Sequence, residues 1–195
     1  MILPIVGYGD PVLRKQAKEI AADYPGLNDL IANMYDTMYQ AHGVGLAAPQ
    51  IGLDIRLFIV DASPFAESEE VSDAQKVILQ NAKKTFINAK IVKEEGNEWA
   101  FNEGCLSIPE VREDVFRKEQ ITVTYQDEHF NTHTEVFNGL LARVIQHEYD
   151  HIEGVLFTDR ISTLKKTLIK KRLQNIMDGK ILVDYRMKFF NKKGR

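Results

Sequence analysis

Gln146-His147-Glu148-Tyr149-Asp150-His151 is the stretch whose reading decides the rest of the chain. Residues four apart on an α-helix share one face, about one turn from each other. A helix here presents the imidazoles of His147 and His151 to one metal ion, with Glu148 beside them as a base. The flanks suit a helix enclosed by protein, because Leu140, Leu141, Val144, Ile145 and Ile152 are apolar almost all the way round. Asn138 or Gly139 supplies a start and Gly154 a stop. Two histidines at this spacing also occur as a packing pair. A packed core, however, has little use for two imidazoles and a carboxylate.

A metal site needs a further protein ligand. No Glu follows Glu153, so the downstream glutamate of many zinc peptidases is missing. The longer pattern His-Glu-x-x-His-x-x-Gly-x-x-His has Gly154 in place but ends on Phe157. The ligand must come from upstream, and the only thiol is Cys105. A lone cysteine is more often an apolar filler. Beside Gly104, on a loop between strands and in a chain short of one ligand, Cys105 reads as the third donor. Two imidazoles and a thiolate leave a fourth tetrahedral position for water, as catalytic sites do.

Outward from this centre, 195 residues suffice for one domain with a substantial core. No apolar run approaches the roughly 20 residues that span a bilayer. The first ten residues lack a basic segment and a long apolar one, so no signal peptide is expected. A single cysteine excludes an internal disulfide and fits a reducing cytoplasm. Net charge is −3, unevenly spread: residues 160–195 carry about +10 and residues 1–159 about −13. That tail reads either as a solvated helix face docked on an acidic body or as a contact for a polyanion such as RNA.

Asp10-Pro11 is an N-cap and first-turn pair. Leu27, Leu30, Ile31, Met34, Tyr35 and Met38 recur at helical spacing and predict an amphipathic helix to about Ala41. Ile55 to Val60 and Phe86 to Val92 read as strands, and Glu94 to Asn97 as a turn. Gln120 to Gln126 and Thr132 to Phe137 read as a hairpin. Residues 62–84 form a surface insertion with a short helix around Asp73 to Lys83. A second amphipathic helix is expected over Thr163 to Met177. The alternation of Ile181, Val183, Tyr185, Met187 and Phe189 predicts a C-terminal strand. The fold class is α+β, with antiparallel or mixed sheets packed around a central buried helix carrying His-Glu-x-x-His and flanking N- and C-terminal helices. With no internal repeat or dividing linker, residues 1–195 read as one catalytic domain, including the 62–84 insertion and the 160–195 tail.

Three motifs standing in order make the chain resemble peptide deformylases. They are Gly43-Val44-Gly45-Leu46-Ala47-Ala48-Pro49-Gln50, Glu103-Gly104-Cys105-Leu106-Ser107 and Gln146-His147-Glu148-Tyr149-Asp150-His151. Asp10-Pro11-Val12-Leu13-Arg14 is similar to the family's N-terminal segment, so the resemblance covers roughly residues 1–160. It implies removal of the N-formyl group from the initiator methionine of nascent polypeptides, with release of formate. By resemblance, Cys105, His147 and His151 hold one divalent ion, Fe²⁺ in the cell with Zn²⁺, Ni²⁺ or Co²⁺ as replacements. A metal-bound water then attacks the formyl carbon with Glu148 as general base and acid, and Gln50 with the Leu106 N–H steadies the oxyanion.

A nascent chain has arbitrary sequence after its methionine, so recognition through its backbone is expected, by pairing along Gly43, Val44, Gly45 and Leu46, with Gly104 beside them. Val44, Leu140 and Val144 are candidates for the methionine pocket or for plain core packing. Glu103 and Asp150 are candidates to orient a ligand imidazole or to pair with Arg112 or Arg117. Asp150 reads equally as a helix-surface carboxylate. Arg143 departs from the apolar residue expected one turn before His147. Either its stem lines the methionine pocket with the charge at the mouth, or it points away. The insertion is longer than in the simplest relatives, and the strand ending resembles that of a subset. Lys165, Lys166, Lys170, Lys171 and Arg172 resemble the ribosome-docking tail of some members. No membrane or DNA contact is expected. Two other readings compete, a metallopeptidase and a non-catalytic metal- or RNA-binding protein. The missing downstream ligand argues against the first, and the presence of Glu148 and Gln50 against the second.

Overall fold

The computed structural model describes residues 1–69 and 71–190. One long hairpin organises it. Strand β4 (Lys84–Cys105) turns through Leu106-Ser107 into β5 (Ile108–Gln126), with Cys105 opposite Ile108. β5 continues into pairing with β6 (Thr132–Asn138), from Gln126 opposite Thr132 to Gln120 opposite Asn138, as the alternating pattern predicts. On its other side β4 pairs with β3 (Leu57–Val60), and β3 with β2 (Gly45–Ala47). The result is a five-stranded antiparallel sheet of order β2-β3-β4-β5-β6.

The turn expected at residues 94–97 does not form. Pairing breaks between Glu95 and Glu98 and resumes with Glu98 opposite Lys118, while Gly96 takes φ 79°. This is a bulge that bends the strand without ending it. Its consequence reaches the site: Cys105 is the last residue of a paired strand, not part of a loop between strands.

The sheet is covered on both faces. Successive strand residues point to opposite sides. Phe58 and Val60 therefore meet α3 (Gly139–Ile152), and Leu57 and Ile59 meet α1 (Leu27–Gln40). All four are fully buried, as are Met34 and Met38 on α1 and Ile145 and Ile152 on α3. Double coverage is why 57–60 reads as an unbroken apolar run. Phe58 stacks on Phe86 of β4 at 4.7 Å between ring centroids.

α3 ends as its sequence predicts. Val155 N–H donates to the Asp150 carbonyl (2.9 Å), Gly154 N–H to that of His151 (3.3 Å), and Gly154 takes φ 74°. Asp10 accepts from Val12 N–H (3.0 Å) and starts the single turn Pro11–Arg14. The insertion holds a 3₁₀ turn, Ser63–Glu67, and helix α2 (Asp73–Gln80), shorter than expected and capped by Ser72. α4 (Thr163–Met177) buries Ile169 and Ile176. Lys165 pairs with Glu113 (2.9 Å) and Lys166 donates to the Asp159 carbonyl (3.0 Å), while Lys170, Lys171 and Arg172 are exposed. Lys192, Lys193 and Arg195 of the basic tail lie outside the described residues.

The C-terminal strand is far shorter than the alternation predicts. Only β7 (Met187–Lys188) forms, paired parallel with β1 (Ile5–Val6). Residues 182–185 instead line the cavity described below. No helix among the described residues is long and apolar enough to cross a membrane.

Candidate active site

α3 and the tip of the β4–β5 hairpin bring three donors together. His147 and His151 lie one turn apart with ring centroids 5.1 Å from each other. Cys105 Sγ sits 3.2 Å from His151 Nε2, and the sulfur and one ring nitrogen of each histidine all lie within 4.8 Å of one another. One thiolate and two imidazoles suit a single borderline divalent ion. His147 Nδ1 is already engaged by Glu103 Oε2 at 3.0 Å, which leaves Nε2 for a metal. Two buried atoms here, Glu148 Oε2 and His151 Nδ1, have no hydrogen-bond partner. The donor set and the unpartnered Glu148 Oε2 fit a metal and its water.

Glu103 is the electrostatic hub. It is 3% exposed and accepts from Arg117 Nε (2.7 Å) and Nη2 (2.9 Å), from Arg143 Nη1 (3.1 Å) and from His147. Burial alone would raise its pKa, but hydrogen bonds from Arg117 and His147 outweigh burial and hold it far below the carboxylate range. Arg117 also binds Asp150 Oδ2 (2.7 Å), and Arg160 Nε reaches the same oxygen (2.6 Å). Asp150 is thus a buried member of the network, not a surface carboxylate. Arg112 takes no part in it and bonds Asn102 instead (2.9 Å).

Burial pushes the Glu148 carboxyl up to about 7, suited to taking and returning protons near neutrality. Burial and the neighbouring His147 push His151 well below its ordinary value, so it stays in the neutral, ligating form. Gln50 is oriented by the Ala47 N–H donating to its Oε1 (2.8 Å), which turns Nε2 toward Cys105 Sγ (3.5 Å).

A cavity of about 660 Å³ opens onto this centre. Gly43, Val44, Gly45 and Gln50 line it from one side, Gly104, Cys105 and Leu106 from the hairpin, and Val144, His147 and Glu148 from α3. His151 lies behind it, and the Leu46 side chain is buried in the core on the α1 side. Leu140 lines a neighbouring cavity with Gln75 and Gly139, not this one. Gly45 is needed for space, since a Cβ there would fall 2.5 Å from Glu148 Oε1.

Arg143 lines the cavity, but its charge is buried and not held at the mouth. It is 1% exposed, stacks on Trp99 (4.4 Å), and donates to the carbonyls of Trp99 (2.7 Å) and Val115 (2.8 Å) as well as to Glu103. It ties the helix to both strands of the hairpin. Phe65 from the insertion, Phe101 and Tyr185 also line the cavity. Nothing in their local sequence marks them, because only the three-dimensional path of the chain brings them there.

Fold and site define a class: α+β proteins in which a buried His-Glu-x-x-His helix and a cysteine-tipped hairpin converge on one candidate metal position. The polypeptide deformylase family profile matches residues 2–167. A peptide deformylase of Flavobacterium psychrophilum is 67% identical over 193 residues, covering 99% of this chain and 100% of that protein. The crystal structure of a peptide deformylase from Legionella pneumophila superposes with TM-score 0.77 at 36% identity, over 92% of this chain and 98% of that one. That from Thermotoga maritima gives 0.72 at 38% identity, over 83% and 99%. The chain belongs to the peptide deformylase family, enzymes that remove the N-formyl group from nascent polypeptides.

Proposed function

We propose that this enzyme hydrolyses the formamide of N-terminal formylmethionine, releasing formate, with Cys105, His147 and His151 holding one divalent ion, Fe²⁺ in the cell. The observation that carries this reading is the approach of those three donors to within 4.8 Å beside the buried carboxyl of Glu148, whose Oε2 has no hydrogen-bond partner among the described residues. When bound, the ion would polarise the formyl oxygen and bring the pKa of a water from about 15.7 toward 7. Imidazole and thiolate also accept Zn²⁺, Ni²⁺ or Co²⁺.

Glu148 takes a proton from the attacking water. The C–N bond then breaks, Glu148 returns the proton to the leaving amine, and formate and a free N-terminal methionine result. The Gln50 Nε2–H and the backbone N–H of Leu106 receive the negative charge that develops on the formyl oxygen. β2 is an edge strand whose neighbouring residues Gly43 and Val44 line the cavity, which supports recognition of the nascent chain by backbone pairing along Gly43 to Leu46, with Gly104 facing it. Val44 and Val144 line the methionine pocket. The reaction takes place in the cytoplasm, and residues 1–195 act as one catalytic domain. The exposed Lys170, Lys171 and Arg172 on α4 offer a contact for the ribosome, testable by co-sedimentation of a triple Ala variant.

The test is anaerobic formate release from formyl-Met-Ala-Ser by Fe²⁺-loaded protein. Wild type turns over. Glu148→Gln retains metal and loses activity by about 10³-fold or more. A fully active Glu148→Gln protein, or a Cys105→Ser protein with full metal content and activity, refutes these assignments.

A further inference from the structure

The cavity is bounded in part by a segment that lies outside the residues matched by the family profile. Leu182, Val183, Asp184 and Tyr185 line it, whereas the match ends at residue 167. The segment is anchored just beyond the cavity. Ile5 N–H donates to the Arg186 carbonyl (2.8 Å) and Gly7 N–H to that of Lys188 (2.9 Å), extending the β1–β7 pairing. The Phe189 ring seats on Gly7, where a Cβ would fall 3.0 Å from it.

From this anchored segment the Tyr185 hydroxyl donates to the Leu106 carbonyl at 2.8 Å. A phenol is protonated at neutral pH and can hold that bond throughout. Leu106-Ser107 is the two-residue turn between Cys105 and Ile108, so its carbonyls point away from the β4–β5 ladder. The next carbonyl, Ser107, is held the same way, by the Tyr8 N–H at 2.8 Å. Both turn carbonyls are thus tied to the small β1–β7 layer, one from each end of the chain. Peptide groups in a tight turn without ladder partners rotate more freely than paired ones; the Leu106 carbonyl shares its plane with the Ser107 N–H, and fixing that plane restrains rotation at Leu106, whose own N–H lies in the adjoining plane with the Cys105 carbonyl.

We propose that Tyr185 is a positioning residue for the deformylation step: by holding the Leu106 carbonyl, it keeps the turn rigid and the Leu106 N–H aimed at the developing oxyanion. This rests on the proposed role of that N–H. The ring contributes separately by packing on the core that also contacts Leu106, so removing the hydroxyl alone isolates the hydrogen bond.

The experiment compares the full-length Fe²⁺-loaded wild type with Tyr185→Phe. Steady-state formate release is measured together with metal content and the exchange rate of the Leu106 amide by NMR. An oxyanion donor that loses its aim affects turnover more than ground-state binding. Removing such a donor outright costs about 10²–10³-fold elsewhere, so loosening it is expected to lower kcat by about tenfold, with KM within about twofold. Metal content stays at wild-type level and the Leu106 amide exchanges faster. A Tyr185→Phe kcat within twofold of an active wild type, or a loss confined to KM, overturns the inference and leaves the proposed mechanism standing. A wild type that releases no formate overturns the mechanism and this inference with it.

Discussion

At the scale of single residues, Glu103 supports more of the site than any of the three candidate ligands does, because four donor contacts from three side chains meet on its buried carboxylate. Glu103→Ala leaves Arg143 buried without its anion and Arg117 with Asp150 alone, which costs about 3–5 kcal/mol of stability. It also frees the His147 ring, lowering metal affinity by about 10–100-fold. Urea unfolding and metal titration read the two effects separately, and an unchanged metal affinity would refute the orienting role. Gly45 sets a different kind of limit. A methyl group there must displace the Glu148 carboxylate, and a misplacement of about 1 Å costs on the order of 10²-fold in rate. Gly45→Ala is expected to bind metal normally and to lose kcat. The sequence displayed the residues whose chemistry is written in spacing: His147, Glu148 and His151 on one turn, and Cys105 as the lone thiol. It also supplied Glu103 as a candidate. The job of Arg143 was hidden, since a cation amid apolar helix residues gives no hint that two strand carbonyls and a tryptophan face wait for it.

At the scale of elements, the hairpin and the end of α3 show where local sequence speaks plainly and where it misleads. Gly96-Asn97 has turn chemistry, yet pairing resumes beyond it, because cross-strand contacts from Glu98 to Gly104 outweigh the local preference of two residues. The five-residue turn from Asp127 to Asn131 was legible because alternation on both sides agreed with it, and Asp127 Oδ1 accepts from the N–H groups of His129 and Asn131, each at 2.9 Å. Gly154 was legible as a helix stop, but not the backbone of Arg14 lying 2.8 Å from where its Cβ would be. These two constraints can be told apart. Gly154→Ala meets both and is expected to lose about 2 kcal/mol or more in chemical unfolding. Asn tolerates the left-handed conformation better than Ala. If the backbone conformation alone matters, Gly154→Asn recovers most of the loss; if the packing of the N-terminal segment matters, as the distance implies, it recovers little.

At the scale of the whole molecule, buried or half-buried carboxylates sit at joints between elements. Asp61 links α1 to the start of the insertion, accepting from Tyr39 Oη (2.7 Å) and Ser63 N–H (3.0 Å). Glu135 of β6 accepts from Lys84 of β4 (3.2 Å), and Asp159 pairs with Arg14 of the N-terminal segment. In each, burial raises the pKa but hydrogen bonds and opposite charge outweigh it, so the folded value lies below the ordinary one. A carboxylate depressed by folding binds more protons when unfolded. Its contribution is therefore complete above the unfolded pKa, near 4, and fades as pH falls through the lower folded value. Acid should accordingly loosen the joints before it touches the apolar core. Asp61→Asn isolates one of them, since it keeps an oxygen acceptor while removing the charge. Its melting temperature is expected to lie below that of wild type by a constant gap from pH 6 to 8. The gap should narrow below about pH 4, as the unfolded chain and then, at lower pH, the folded Asp61 carboxylate takes up a proton. A gap that stays constant down to pH 3 would mean that Asp61 acts through shape alone, and that the acid sensitivity of the fold arises elsewhere.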